Sequence, residues 1–143
     1  MSKTSYRENI AKDIVSTLRS IKSIKFVSRE IFEIDELSDA QIPAVLIQSA
    51  SELKADQTIG HNRLGTIEYV LTGFVKGKYL DTARNKLADE IETQLYVNAT
   101  RNGYAIDTLV TEINTDEGVL FPLGAIQMIV RVEYYHNAGD LEK

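Results

Sequence analysis

The sequence predicts an α+β fold (α/β in the broad sense), with two helices packed on one face of a mostly antiparallel mixed sheet of about five strands. Two observations support this prediction. Each predicted helix carries a single apolar stripe, and the predicted strands over 65–76 and 124–135 alternate apolar and polar residues. Surfaces of these two kinds bury one another when helices lie on a sheet. The expected order is α-β-β-β-α-β-β in a single domain, 1–143, whose residues 137–143 form a polar tail.

The composition is that of an ordinary globular protein, with 43% hydrophobic and 26% charged residues and a net charge of −5. The chain has no cysteine, which excludes a disulfide scaffold and a thiolate metal site. No apolar run approaches the ~20 residues that a membrane span needs. The first residues also lack the apolar stretch of a signal peptide. We therefore expect a soluble protein that is not secreted.

The first helix is predicted over residues 5–24, where Ser5 and Glu8 form a capping box. Its apolar stripe consists of Ile10, Ile14, Leu18 and Ile21. A first strand is expected over 26–32. The apolar run that follows predicts a short strand over 44–48, buried on both of its faces.

The second half of the chain is predicted to contain three strands and one helix. The strands cover 65–76, 104–114 and 124–135, and the helix runs from Asp81 or Thr82 to about Tyr96. Leu18 and Leu87 lie on the two helical stripes, so both should be buried. The polar stretch 51–64 predicts a loop or hairpin tip, long enough to suggest a function.

Charge is unevenly distributed along the chain. Residues 1–29 carry seven basic and two acidic side chains, a net charge of +5, whereas the other 114 residues carry 9 basic and 19 acidic ones, a net charge of −10. One interpretation is a solvated helix face. The other is a polar molecule whose basic side meets an acidic partner or the acidic side of a neighbour. A pI of about 5.1 and the absence of aromatic residues within the basic segment argue against a nucleic-acid-binding stripe.

Few residues suggest catalysis or metal binding. His61 and His136 are 75 residues apart and lack any metal-ligand spacing, and no serine lies in a nucleophile motif. Arg84 lies close to the apolar side of the second helix. It is expected either to extend its charged end to solvent or to form an ion pair at an interface. We predict no catalytic residue, no metal and no cofactor.

Two groups of carboxylates are the remaining chemical candidates. They are Asp35-Glu36-Asp39 and Asp116-Glu117. Either group offers ligands for Mg²⁺ or Ca²⁺, or a general acid–base pair. Both lie where polar turns are expected, which favours solvated loops.

Three stretches that together span roughly residues 6–136 resemble a known family. They are the amphipathic N-terminal helix followed by the acidic segment 35–38 and by 42–47, the stretch 71–92, and the stretch 115–124 with the final strand. In order and spacing, they resemble the tail terminator proteins of tailed phages, the family that includes the lambda-like minor tail protein U.

The resemblance implies a non-enzymatic structural protein of the virion. Tail terminators form a hexameric ring at the head-proximal end of the tail tube, where they end tube polymerisation and provide the docking surface for the head connector. The implied partners are further copies of this chain, the tail tube protein, the head–tail connector or neck protein and, where the tail is contractile, a sheath protein. Genomic DNA passes through the lumen without specific binding, no membrane is involved, and assembly takes place in the host cytoplasm.

An acidic balance outside the first helix suits a lumen that must not hold DNA, and the basic helix suits head-to-tail packing of identical subunits. We expect the partner-binding residues in the first helix and in two loops, 51–64 and 115–124. They are Lys12, Arg19, Lys54, Asp56, His61, Arg63, Asp116, Glu117 and Phe121. Two alternatives remain open: a head-completion or neck adaptor ring, and a small metal-dependent enzyme that uses the carboxylates named above.

Overall fold

The computed structural model describes residues 5–56, 62–137 and 139, with two helices on one face of a five-stranded sheet. The main elements are α1 (Tyr6–Arg19), β1 (Phe26–Ser28), β2 (Ala44–Asp56), β3 (Asn62–Lys76), α2 (Leu80–Val97), β4 (Asp107–Thr115) and β5 (Leu123–Asn137). The predicted fold class and order of elements are confirmed.

The sheet has the strand order β1-β2-β3-β5-β4. β1 pairs with β2 in parallel, and the three other pairings are antiparallel. β3 and β5 have 15 residues each, so they reach about 50 Å, far beyond the usual 17–20 Å. The helices cover one face of this sheet, and the other face is called the open face below.

The hydrophobic core lies between the helices and the sheet. Its centre consists of fully or almost fully buried side chains from both helices and from β5, among them Ile10, Ile14, Leu18, Leu87, Ile91, Leu95, Met128, Val130 and Val132. The predicted burial of Leu18 and Leu87 is confirmed. Gly73 lets α2 approach β3 closely, because a Cβ atom at this position would lie 2.6 Å from Cδ2 of Leu87.

A buried arginine that follows α2 joins the end of this helix to the middle of α1. Arg101 is fully buried, and its Nη1 lies 3.2 Å from Oδ1 of Asp13 in α1. Its guanidinium also donates to the carbonyl groups of Leu95 and Asn98 at the end of α2. Burial lowers the pKa of Arg101, and the carboxylate of Asp13 opposes this shift.

The first two predicted elements are shorter than expected. α1 ends at Arg19 rather than near residue 24, because Ser20 caps it through a hydrogen bond from its hydroxyl to the carbonyl of Thr17. β1 ends at Ser28, whose hydroxyl oxygen accepts from the N–H of Glu30 in a tight turn. The chain then crosses to the open face, where the ring of Phe32 packs on Phe26 and Phe74.

The prediction of a short strand followed by a long loop is wrong. β2 continues from Ala44 to Asp56 and β3 begins at Asn62, so most of 51–64 forms the two arms of a hairpin. The strand is also not buried on both faces, since Gln48 is exposed. Its polar residues misled the prediction because some of them lie inside a polar cluster, described below.

The starts of α2 and β4 also differ from the sequence prediction. Tyr79 takes the N-cap position of α2 without a side-chain hydrogen bond, whereas Asp81, predicted as a cap, lies in the first turn. β4 starts at Asp107 rather than 104, because the chain forms a 3-10 turn over Arg101–Gly103 before it enters the sheet.

Candidate interaction surfaces

The structure places the predicted interface residues in three separate regions. Lys12 and Arg19 are exposed on α1. Lys54 is half-buried in β2, and the backbones of Asp56 and Arg63 are paired across β2 and β3. His61 lies outside the described residues. The third group, Asp116, Glu117 and Phe121, belongs to the segment between β4 and β5.

The segment 116–122, called the β4–β5 turn below, presents apolar side chains to solvent. Val119 is 82% exposed and Phe121 70%, with Leu120 at 37% between them. Large apolar side chains clustered on a surface are typical of protein–protein contacts. The exposed charge of the turn is the carboxylate of Glu117, and residues 102–130 around it contain no lysine or arginine.

Hydrogen bonds to a buried carboxylate hold this turn in one shape. Asp116 accepts from the N–H groups of Leu120 and Ala125, both at 3.0 Å, and from Nη1 of Arg84 at 2.9 Å. Burial by itself raises the pKa of Asp116, but these bonds outweigh it and lower the pKa below its ordinary value. The exposed Val119 and Phe121 therefore stand on a pre-organised support.

Arg84 differs from both sequence interpretations. Its guanidinium does not extend to solvent, and it is not left for an ion pair with another molecule. It is buried against the carboxylate of Asp116 in the same chain. A second carboxylate, the exposed Asp81, lies 3.6 Å away. Asp116 is thus a structural support for the turn, and Glu117 and Phe121 are the predicted residues that face solvent there.

A groove runs between α1 and β1, on the opposite edge of the sheet from β4. It has a volume of about 660 Å³ and is called the α1–β1 groove below. One wall is the helix face that carries Lys12, Ser16 and Arg19, which recur at i, i+4 and i+7. Val15 and Val27, both almost buried in the core, form its apolar floor, and Arg29 and Glu30 lie on its β1 side. The groove is therefore apolar within and basic along its helical rim.

A polar cluster, which was not predicted, lies at the far end of the sheet. It consists of Arg7, Glu52, Lys54, Tyr134 and His136. Nζ of Lys54 lies 2.8 Å from Oε2 of Glu52, 2.7 Å from the hydroxyl of Tyr134 and 2.6 Å from Nε2 of His136. The Tyr134 hydroxyl donates to the same carboxylate at 2.6 Å. The cluster therefore joins α1, β2 and β5 through charged hydrogen bonds.

Within this cluster the pKa of Glu52 is lowered and the pKa of Tyr134 is raised. Burial raises the pKa of Glu52, but hydrogen bonds from Arg7, Lys54 and Tyr134 prevail and lower it to about 2. Burial raises the pKa of Tyr134, and its hydrogen bond to Glu52 raises it further. Glu52 thus carries a full negative charge at neutral pH, and Tyr134 serves as a hydrogen-bond donor.

A sequence signal for the cluster does exist, because Glu52 and Lys54 share one side of the strand while Leu53 and Ala55 share the other. From sequence alone this stretch predicts a polar loop, because the buried side of the strand is the polar one. Leu53, 72% exposed, faces the open side.

The predicted carboxylate groups do not form a metal site within the described ranges. Asp35 and Glu36 lie in a short 3-10 helix, and Asp39 begins another. No group of three or more histidine, aspartate or glutamate side chains in the described part of the chain is arranged to hold a metal ion. Among the described helices, none has both the length and the apolar surface to span a bilayer.

Comparisons with known proteins give a likeness among solved structures and none among family models or curated proteins. No family model matches the chain, and no curated protein matches it. Among solved structures, it is similar to a chain in the virion of a native gene transfer agent particle, with 8% sequence identity and a TM-score of 0.43. The match covers 92% of each chain.

Proposed function

We propose that this protein is a structural, non-enzymatic component of a phage virion that caps the head-proximal end of the tail tube. It forms a ring there, ends tube polymerisation and provides the docking surface for the head connector. The observation that carries the proposal is the β4–β5 turn. This segment belongs to the third stretch that resembles tail terminators, and it exposes Val119 and Phe121 on a rigid support.

The architecture of the turn suits a docking function. A loop that becomes ordered only on binding has a lower affinity, because ordering it costs conformational entropy. A loop that is already ordered avoids this cost. Asp116 already fixes the backbone through the N–H groups of Leu120 and Ala125. The apolar side chains can thus enter a partner without rearrangement of the turn.

The experiment that tests the proposal is a capping assay with tubes assembled from the tail tube protein of the same phage. Wild-type protein should appear as a ring at one end of each tube in negative-stain micrographs and should limit tube length. The double variant Val119→Ser, Phe121→Ser should lose capping. The control is Val97→Ser, which changes a 74% exposed valine at the end of α2 and should cap normally.

Circular dichroism melts of the three proteins establish that each is folded. Binding to the connector without binding to tubes would replace the terminator function with that of a neck adaptor. Failure of the folded wild-type protein to bind either assembly at any concentration would overturn the proposal.

A further inference from the structure

The β4–β5 turn and the α1–β1 groove lie at the two ends of one row of paired residues across the sheet. Phe26 of β1 pairs with Ala44, which pairs with Phe74, which pairs with Ala125. The N–H of Asp116 donates to the carbonyl of Ala125 at 3.1 Å. The groove and the turn therefore begin at the two ends of this row, on opposite edges of the sheet.

The chemistry of the two surfaces is complementary. The turn offers Val119 and Phe121 with the exposed carboxylates of Glu112 and Glu117 near them in sequence. The groove offers an apolar floor of Val15 and Val27 beneath the basic side chains of α1, with Glu30 on its β1 side. Apolar contact gives such an interface its affinity, and opposite charges at the rim set its register.

We propose that the α1–β1 groove receives the β4–β5 turn of a second copy of this chain. Val119 and Phe121 enter the groove, and Glu117 faces the basic rim formed by Lys12 and Arg19. The proposal rests on the ring given under the proposed function and names the surfaces that build it. Each copy uses its two edges for two different neighbours, so the contact is heterologous.

The position of the surfaces favours closure of the assembly. A heterologous contact gives a ring when successive copies are related by rotation alone and a filament when they are also displaced along the axis. Phe26 and Asp116 end the same cross-strand row, so the groove and the turn begin at matching positions on the two edges of the sheet, which favours a ring over a filament.

Disulfide trapping tests this contact directly, because the natural chain has no cysteine. Ser16→Cys introduces a thiol at the exposed helical wall of the groove, and Val119→Cys introduces one on the turn. Cysteine is small and apolar, so neither change removes a charge. Cross-linking requires the two Cβ atoms to approach within about 4.5 Å. The control replaces Val119→Cys with Val97→Cys, at a similarly exposed valine on a different surface.

Oxidation of a mixture of Ser16→Cys and Val119→Cys should give covalent dimers on tubes and, at high protein concentration, in solution. Each variant alone should stay monomeric under denaturing electrophoresis, and the mixture with Val97→Cys should give no dimer. Dimers from Val119→Cys alone, equal dimers with the Val97→Cys control, or no dimer on capped tubes would each overturn the contact.

The capping assay separates this inference from the proposed function. Rings on tubes without the disulfide would mean that the function stands and the contact is wrong. A disulfide in solution from a protein that never binds tubes or connectors would mean that the contact stands and the terminator function is wrong.

Discussion

Nη1 of Arg84 lies 2.9 Å from Oδ1 of Asp116, and both side chains are less than a tenth exposed. This pair connects the N-terminal part of α2 to the β4–β5 turn. The carboxylate also accepts two backbone N–H groups, so the conformation of the turn depends on a residue of the helix.

Asp116→Ala should destabilise the protein by about 3–5 kcal/mol, because it leaves the guanidinium of Arg84 buried without its main partner. Urea unfolding measures this change. Asp81→Ala is the matched control, since that carboxylate is 3.6 Å from Arg84 but 82% exposed, and its loss should cost below about 1 kcal/mol. Equal losses in the two variants would contradict the assignment.

Leu18→Ala and Leu87→Ala should each lower the free energy of unfolding by about 2–5 kcal/mol, because each empties a site that is at most 3% exposed. Leu53→Ala, on the open face, should change it far less. Urea titrations of the three variants provide the comparison. Effects below about 0.5 kcal/mol at both core positions would mean that the helices do not pack as described.

Glu52 should make stability depend on acidic pH. Its pKa in the folded protein is about 2, below the ordinary value of 4.5. The stabilisation is therefore fully present above about pH 4.5 and is lost as the pH falls toward 2, with a size on the order of 3 kcal/mol. Unfolding free energies of the wild type and Glu52→Gln, measured between pH 2 and 5, should converge as the pH falls. A constant difference at every pH would exclude this role.

Gly65→Ala should destabilise the protein by about 1–3 kcal/mol through overpacking. A Cβ atom there would lie 2.5 Å from Cε1 of Tyr134, whose buried ring is stacked against Tyr6 and His136 and has little room to move. In a double-mutant cycle, the cost should largely disappear in a Tyr134→Ala background. If Gly65→Ala destabilises the Tyr134→Ala protein just as much, the effect comes from the backbone at residue 65 and not from contact with the tyrosine ring.

Charge reversal should weaken self-association. Lys12→Glu places a carboxylate opposite Glu117 of the neighbour, and sedimentation experiments should show a smaller oligomer fraction that is most evident at low salt. Glu117→Lys on the partner copy should restore association when the two variants are mixed. Rescue by Asp107→Lys, farther along β4, would show that the effect is only one of net charge.

The sequence was sufficient to predict elements whose apolar residues have a clear period. α2 and the strands 65–76 and 124–135 were found because one buried face repeats along each of them, and Ile126, Met128 and Val130 illustrate this for β5. Because each of these elements has one apolar face, the packing of the helices on one face of the sheet could also be predicted. Boundaries set by single hydrogen bonds, such as that of Ser20 to Thr17, left no periodic signal.

The candidate surfaces were predicted in part. The charge of Lys12 and Arg19 and the apolar character of Phe121 are visible in the sequence, and the structure leaves these residues on accessible surfaces. The support of the turn was not predictable, because Arg84 and Asp116 are 32 residues apart and their pairing depends on the placement of α2 against β5. The polar cluster was missed because buried polar residues look like a loop when their partners are distant.

The strand order has a consequence for the synthesis of the chain. β5 lies between β3 and β4, although it is synthesised after both of them. Until it emerges, β4 has no neighbour in the sheet and β3 presents a bare edge that other chains can join. Termination before residue 123 would therefore release a chain that lacks the central partner of two strands and is prone to aggregation.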